Sequence, residues 1–288
     1  MRLVLVAFAV VLSTILVPIG ITATWLSLRV DNTEAYVDTV EPLAEERALR
    51  DTLAEEVADA ATSTIADFVP AAGAFNEAIR MSARGVVEND AFPEFWRSAN
   101  AEAHREFLAI VHERDEDVVF DGWVHIDIGP LLDEVLADLA DVLPVQVDVP
   151  SRPLLVPVVP ESELEKGRGG YQVLEALAWW VPLLWLALVG LAVAVAPGLR
   201  GRMRAGAACA VGVAIGAVLV RLLTPSATDA VVDRVEPDRQ DLARLVIEVV
   251  VGSLDDVATT AAVVSLVVAA VLLLGSFVPG RRAPAGHP

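Results

Sequence analysis

Cysteine occurs once, at Cys209, and lysine once, at Lys166. A single thiol excludes an intramolecular disulfide framework and any Cys-based zinc site. Bases are scarce as a class: 21 face 40 acids, for a net charge of −19. That balance excludes a nucleic-acid binder, which needs positive charge to displace phosphate counterions. The signatures of common enzyme classes are missing too. The chain has no His-Glu-x-x-His, no Gly-x-Ser-x-Gly, no Gly-x-x-x-x-Gly-Lys and no Cys-x-x-Cys. No enzyme class stands ahead of another, and the balance leans away from catalysis.

Apolar residues, by contrast, make up 55% of the chain. They are gathered in four blocks, which is the pattern of a membrane protein. Residues 3–28, 176–199 and 257–280 contain no charged residue. Each exceeds the roughly 20 residues needed to cross a bilayer. Residues 205–220 are also uncharged and reach span length by running on through Arg221 to Leu223. The expected organisation is transmembrane helix 1 over 1–28, a domain over 29–172, helix 2 over 173–199, a link over 200–204, helix 3 over 205–223, a helical loop over 224–256, helix 4 over 257–280 and a tail over 281–288. The first block is too long for a cleaved signal peptide and lacks a clean Ala-x-Ala site, so it reads as a signal anchor.

Charge gives direction. Arg2, the trio Arg200, Arg202 and Arg204, and the pair Arg281 and Arg282 flank the blocks with no acid among them. Residues 28–172 hold 31 acids and 11 bases, and residues 224–256 hold 8 and 3. The positive-inside rule then predicts cytoplasmic termini and link, with both acidic segments outside the cell membrane. Trp25, Trp179, Trp180 and Trp185 would lie toward the outer interface, where indoles settle.

The large acidic segment is long enough for a folded domain. Asp31-Asn32-Thr33-Glu34 offers a helix N-cap with an acid three residues on. Leu49, Leu53, Val57, Ala61, Ile65 and Phe68 recur at steps of three and four, which predicts an amphipathic helix. A second helix is expected over about 75–87, and a third capped by Asp90 with Pro93 in its first turn. The period then changes. Val118-Val119-Phe120 and Trp123 to Ile128 read as strands joined at Asp121-Gly122. Residues 131–143 return to helical spacing. Residues 154–159 form a third strand candidate, which Pro157 assigns to an edge. From Glu161 a helix is expected to run into the second span. Residues 231–235 and 242–250 suggest two short helices, with Gly252-Ser253 kinking or recapping the second. The fold class is therefore a membrane protein: four transmembrane α-helices with a mostly helical extracytoplasmic α+β domain, carrying a small sheet, between spans 1 and 2.

Three stretches carry a resemblance. They are residues 31–44 (DNTEAYVDTVEPLA), 95–104 (FWRSANAEAH) and 126–131 (IDIGPL). In that order, after one span and before three more, the chain resembles an uncharacterised family of four-span membrane proteins of actinobacteria. The near-exclusive use of arginine for positive charge accords with a high-GC genome. The resemblance implies an envelope protein with an extracytoplasmic domain and supplies no activity.

Trp96, Asn100 and His104, at four-residue steps, share one helix face and form the candidate ligand-binding set. The blander explanation is a buried helix contact in which Asn100 and His104 satisfy backbone groups of the hairpin. A metal centre built on His104, His112, His125 and Asp127 matches no standard spacing, so no metal or other cofactor is expected. The acid runs Glu45-Glu46, Glu55-Glu56 and Asp115-Glu116-Asp117 lack a calcium-loop pattern and read as solvated surface. Ala208, Gly212 and Gly216 form a small-x-x-x-small face for helix packing, with no partner chosen. Glu175 and Arg221, at the margins of spans 2 and 3, are expected to form an interhelical ion pair.

These features suggest a multi-pass membrane protein with the lipid bilayer as its medium. Its outer domain would bind an envelope protein, a second copy of itself, or a wall or lipid component. An accessory transporter subunit is the first alternative; the absence of ionisable residues near the span centres speaks against ion-coupled transport by the chain itself. An extracytoplasmic enzyme using His104, Asp127 or Asp133 is the second.

Overall fold

The computed structural model describes residues 1–66, 75–112, 123–139, 153–233 and 240–277. The chain divides into two compact units. One comprises Met1–Ser27, Val173–Arg234 and Val251–Pro288, and the other Leu28–Gln172 and Val235–Val250.

Among the described residues, four helices are long and apolar enough to cross a membrane. Helix α1 spans Arg2–Trp25, and a wider π-type turn continues it over Leu26–Val30. Three more are longer: α7 (Glu161–Val195), α8 (Gly198–Val232) and α9 (Gln240–Phe277). At 1.5 Å per residue, 35 residues extend about 52 Å, well beyond a hydrocarbon core of about 30 Å. The chain is thus a helical membrane protein. Their outward surfaces are apolar, with Phe8, Leu183, Ile215 and Val267 all more than half exposed. Such surfaces are stable only against lipid or another apolar partner.

The helix ends differ from expectation. Helix α7 stops at Val195 rather than 199, and Arg200, Arg202 and Arg204 lie in the first turns of α8 rather than in a separate link. Only Ala196 and Pro197 separate the two helices. Gly198 takes φ +66°, a left-handed value that suits glycine, and lets the chain reverse in so few residues. Likewise the two short helices expected after Thr224 are the end of α8 and the start of α9. Helix α9 passes through Gly252-Ser253 without a break.

In the other unit, α2 (Thr33–Val40) leads through a 3-10 turn (Glu41–Glu45) to α3 (Arg47–Ala66). Then come α4 (Asn76–Glu88), α5 (Phe92–Val111), β1 (Trp123–Asp127), α6 (Gly129–Leu139) and β2 (Leu155–Pro160). The face at three- and four-residue steps is buried as expected: Leu49, Val57, Ala61 and Ile65 pack with Ile79 and Val86 of α4 and Val135 of α6. Leu245, Val246, Val249 and Val250, at the start of α9, pack against the same core.

Two caps are shifted by one residue or more. Asn32, not Asp31, caps α2 by accepting from the Ala35 N–H at 3.1 Å. The N-cap of α5 is Ala91, not Asp90, and has no side-chain cap; Asn89 Oδ1 accepts from the Ala91 N–H at 3.0 Å just ahead of the helix, and Pro93 lies in the first turn.

Among the described residues, the two strands pair antiparallel, with Ile126 opposite Val156 and His125 opposite Pro157. The register slips between Val124 and His125. The His125 N–H donates to Glu106 Oε2 at 3.1 Å. The expected strand at 118–120, the Asp121-Gly122 turn and Phe68 lie outside the described residues.

Candidate functional site

Helix α5 presents Trp96, Asn100 and His104 on one face, and all three are buried. The element covering them is α2. The Trp96 indole N–H donates to the Val40 carbonyl at 2.9 Å. Asn100 Nδ2 donates to the Trp96 carbonyl, one turn back along its own helix, at 2.9 Å. His104 Nδ1 lies 3.2 Å from the Thr33 hydroxyl. Tyr36 stacks flat on the His104 ring, with centroids 4.1 Å apart and planes at 14°. The three residues thus form a filled helix–helix contact. The backbone groups they meet belong to α2 and α5, not to the strands.

On the outer flank of that contact, Arg97 reaches two acids of the opposite segment. It donates to Asp38 at 3.2 Å and also pairs with Glu41. These side chains are one-third to over one-half exposed, so the pairs contribute little stability and mainly set register.

The aromatic row continues down α5. Phe107 lies 5.7 Å from His104 and meets the edge of Tyr171 at 6.2 Å. Tyr171 in turn stands at 87° to His112, 5.7 Å away. Its hydroxyl donates to Asp31 Oδ1 at 3.1 Å, and the same oxygen lies 3.2 Å from His112 Nε2. His112 Nδ1 is 2.9 Å from the Leu108 carbonyl. Both ring nitrogens of His112 therefore face acceptors. Both tyrosines of the chain and two of its four histidines collect along this one row.

Electrostatics separate the members of the row. Burial pushes the His104 pKa from 6.5 down to about 4. The Val30 carbonyl and the Asp31 charge pull it up more weakly. Burial also raises the Tyr36 hydroxyl above its ordinary value near 10. Both groups are neutral at pH 7, in keeping with their 4.1 Å stacking. His104 Nε2 is buried and has no hydrogen-bond partner among the described residues.

The structure does not draw the four residues weighed as metal ligands to a common point. His104 engages Thr33, and His112 engages Asp31. His125 lies 4.0 Å from Glu106. Asp127 Oδ1 accepts from the backbone N–H groups of Gly129 and Leu154, at 2.8 and 2.9 Å. That oxygen starts α6 and holds the approach to β2, which accounts for the Asp127-Ile128-Gly129-Pro130 motif structurally.

In the span unit, the expected Glu175–Arg221 pair is replaced. Arg221 Nε donates to Asp255 Oδ1 of α9 at 2.9 Å. Glu175 was expected from the shared outer interface of two helices joined by a short link; the partner in the structure is Asp255. The small-residue face is also rotated. Gly212 and Gly216 are buried against α1, whereas Ala208 is exposed and Cys209 takes its place in the packed row. A Cβ on Gly216 would stand 2.6 Å from Val17, and one on Gly212 would strike the Thr14 hydroxyl. Ser13, fully buried, donates to the Val10 carbonyl at 2.8 Å and lies 3.9 Å from the Cys209 sulfur. Near the other end of α1, the Trp25 indole donates to Ser253 at 2.8 Å.

Sequence reasoning missed Asp31, Thr33, Tyr36 and Tyr171 as members of the α5 row. The rarity of tyrosine was the one available signal. Compared with models of protein families, with characterised proteins and with solved structures, the chain finds no match. The family resemblance therefore rests on its three motifs alone.

Proposed function

We propose that this chain is a multi-pass protein of the cell envelope that displays an acidic, mostly helical α+β binding domain outside the membrane. Both termini and the α7–α8 turn then face the cytoplasm. The domain's role is to hold a partner: an envelope protein, a second copy, or a wall or lipid component. The observation that carries this is the charge distribution around four apolar helices. Arginines without acids mark three of the flanks, and 39 of the 40 acids fall in the two other segments.

Binding is favoured over catalysis by what the polar side chains already do. Asp127 is engaged by two backbone donors, and His104 is buried beneath α2. A general base must be within reach of a substrate proton. Neither group is so placed.

The test begins with topology. In a Cys209→Ala background, Glu55→Cys on the exposed side of α3 should react with a membrane-impermeant maleimide in intact cells. Arg202→Cys should react only after lysis. The reverse pattern would overturn the orientation. A photo-crosslinking residue at position 55 should then yield a discrete adduct in living cells, and a chain that remains uncrosslinked at every exposed α3 position would count against a binding role.

A further inference from the structure

The geometry points to His104 as an acid-sensitive latch: protonating it releases α2 from α5 and uncovers the Trp96–Asn100–His104 face. The argument begins with what surrounds the ring. Helix α2 supplies the Thr33 hydroxyl to Nδ1 and the Tyr36 ring to one face. Helix α5 itself supplies Phe107 at 5.7 Å. The residues leading into α2 supply the Val30 carbonyl and the Asp31 carboxylate, both of which favour the charged ring but less than burial disfavours it. Asp31 is the one charged group that acts on the ring among the described residues. It is already engaged by Tyr171 and His112, so swinging to His104 would break two contacts.

A neutral imidazole fits this environment. Its Nδ1 and the threonine hydroxyl share one proton in either sense. A second proton would sit on Nε2, which is buried and lacks an acceptor. Stacking against Tyr36 and Phe107 would by itself favour a cation. Burial outweighs it, since the pKa falls to about 4 rather than rising. The charge is relieved only if the ring reaches water, and the lid over it is α2. That helix has eight residues and its cap is the exposed Asn32; besides His104 it is held to α5 by the Trp96 bond to Val40 and the exposed Arg97–Asp38 pair, and Val37 and Val40 are buried. A segment so short opens locally at less cost than the unit unfolds.

The pH window follows from the two protonation constants. With α2 closed the ring takes its proton near pH 4, and with α2 open near 6.5. Between these values the opening equilibrium gains up to about tenfold per pH unit, and it levels off below. From pH 7.5 to pH 4.5 the total gain is roughly 70-fold.

Hydrogen–deuterium exchange on the full chain in lipid nanodiscs tests this, with rates corrected for the chemical pH dependence of exchange. Amides of residues 35–40 should gain protection loss of that size between pH 7.5 and 4.5, while amides of α4 and α6 stay flat. In His104→Gln the acid response of α2 should vanish. Thr33→Val keeps the imidazole and removes its one polar partner, so α2 should open more at pH 7.5 yet retain an acid response. The proposal is overturned if native α2 shows no acid response, if His104→Gln responds like the native chain, or if α4 and α6 open in parallel with α2.

Discussion

His104 lies two turns before His112, which has an acceptor at each ring nitrogen. His104 has a hydroxyl at one nitrogen and nothing at the other. For His104 the folded pKa, about 4, lies below the unfolded value of 6.5. Above pH 6.5 both states are neutral and the full stability is present. As pH falls from 6.5 to 4 the unfolded chain binds a proton that the folded chain refuses, and stability is lost. At 1.36 kcal/mol per pKa unit the loss is about 3 kcal/mol. His104→Gln should therefore be less stable than the native protein at pH 7.5 and close the gap, or reverse it, at pH 4.5. Thermal unfolding of both chains at the two pH values checks this. A gap that stays constant would mean that the imidazole does not titrate between the two states. None of this was legible in the sequence. The Trp96, Asn100 and His104 spacing shows a shared face, but the groups that cover it come from 56 to 71 residues away. A single sequence does not encode that distance in any local pattern.

At the scale of helices, the close contact of α1 with α8 decides how the spans assemble. In lipid there is little hydrophobic drive between helices, so tight backbone approach must supply the attraction. Gly216 faces Val17 and the Pro18 ring, which cannot rotate away, whereas Gly212 faces a threonine hydroxyl at the end of a side chain. Gly216→Ala should thus destabilise the span unit more than Gly212→Ala, by roughly 1–3 kcal/mol for the overpacked site. Ala208→Leu, on the exposed side, should change little. Unfolding in mixed micelles would rank the three, and a larger loss at 208 than at 216 would place α1 on a different face. Helix existence was the part of this fold most legible in advance, because α3 follows three- and four-residue steps and the spans are uncharged apolar runs of bilayer length. Helix ends were less so. Arginines 200, 202 and 204 read as a polar link, yet charged side chains are compatible with the first turns of a helix at a membrane margin. Partner choice was least legible. Arg221 meets Asp255 rather than Glu175, and chain order does not fix which flank of a helix faces which neighbour.

For the whole molecule the dominant electrostatic term is repulsion. Residues 28–172 carry an excess of 20 acids, and the second acidic segment adds to it. Among the described residues, attractive pairs that offset this include Arg97 with Asp38 and Glu41, and Arg221 with Asp255, whose side chains are 49% and 34% exposed. Exposed pairs contribute about 0–1 kcal/mol each, whereas like charges summed over a unit act against compaction as a group. Salt screens both, but repulsion is longer-ranged and so is screened first. The Debye length is about 10 Å at 0.1 M, which spares contacts near 3 Å and damps repulsion across the unit. The melting temperature should therefore rise as sodium chloride goes from about 10 to 300 mM. A gain of one kcal/mol corresponds to roughly 2–4 °C for a chain of this size. Chloride is the anion to use, because sulfate strengthens apolar burial by a separate route. Repeating the titration at pH 5 should shrink the effect, since carboxylates begin to protonate and the excess charge falls. A melting temperature that drops with salt at pH 7.5 would show that the ion pairs outweigh the repulsion, and the acidic surface would then be a source of cohesion rather than a cost of displaying it.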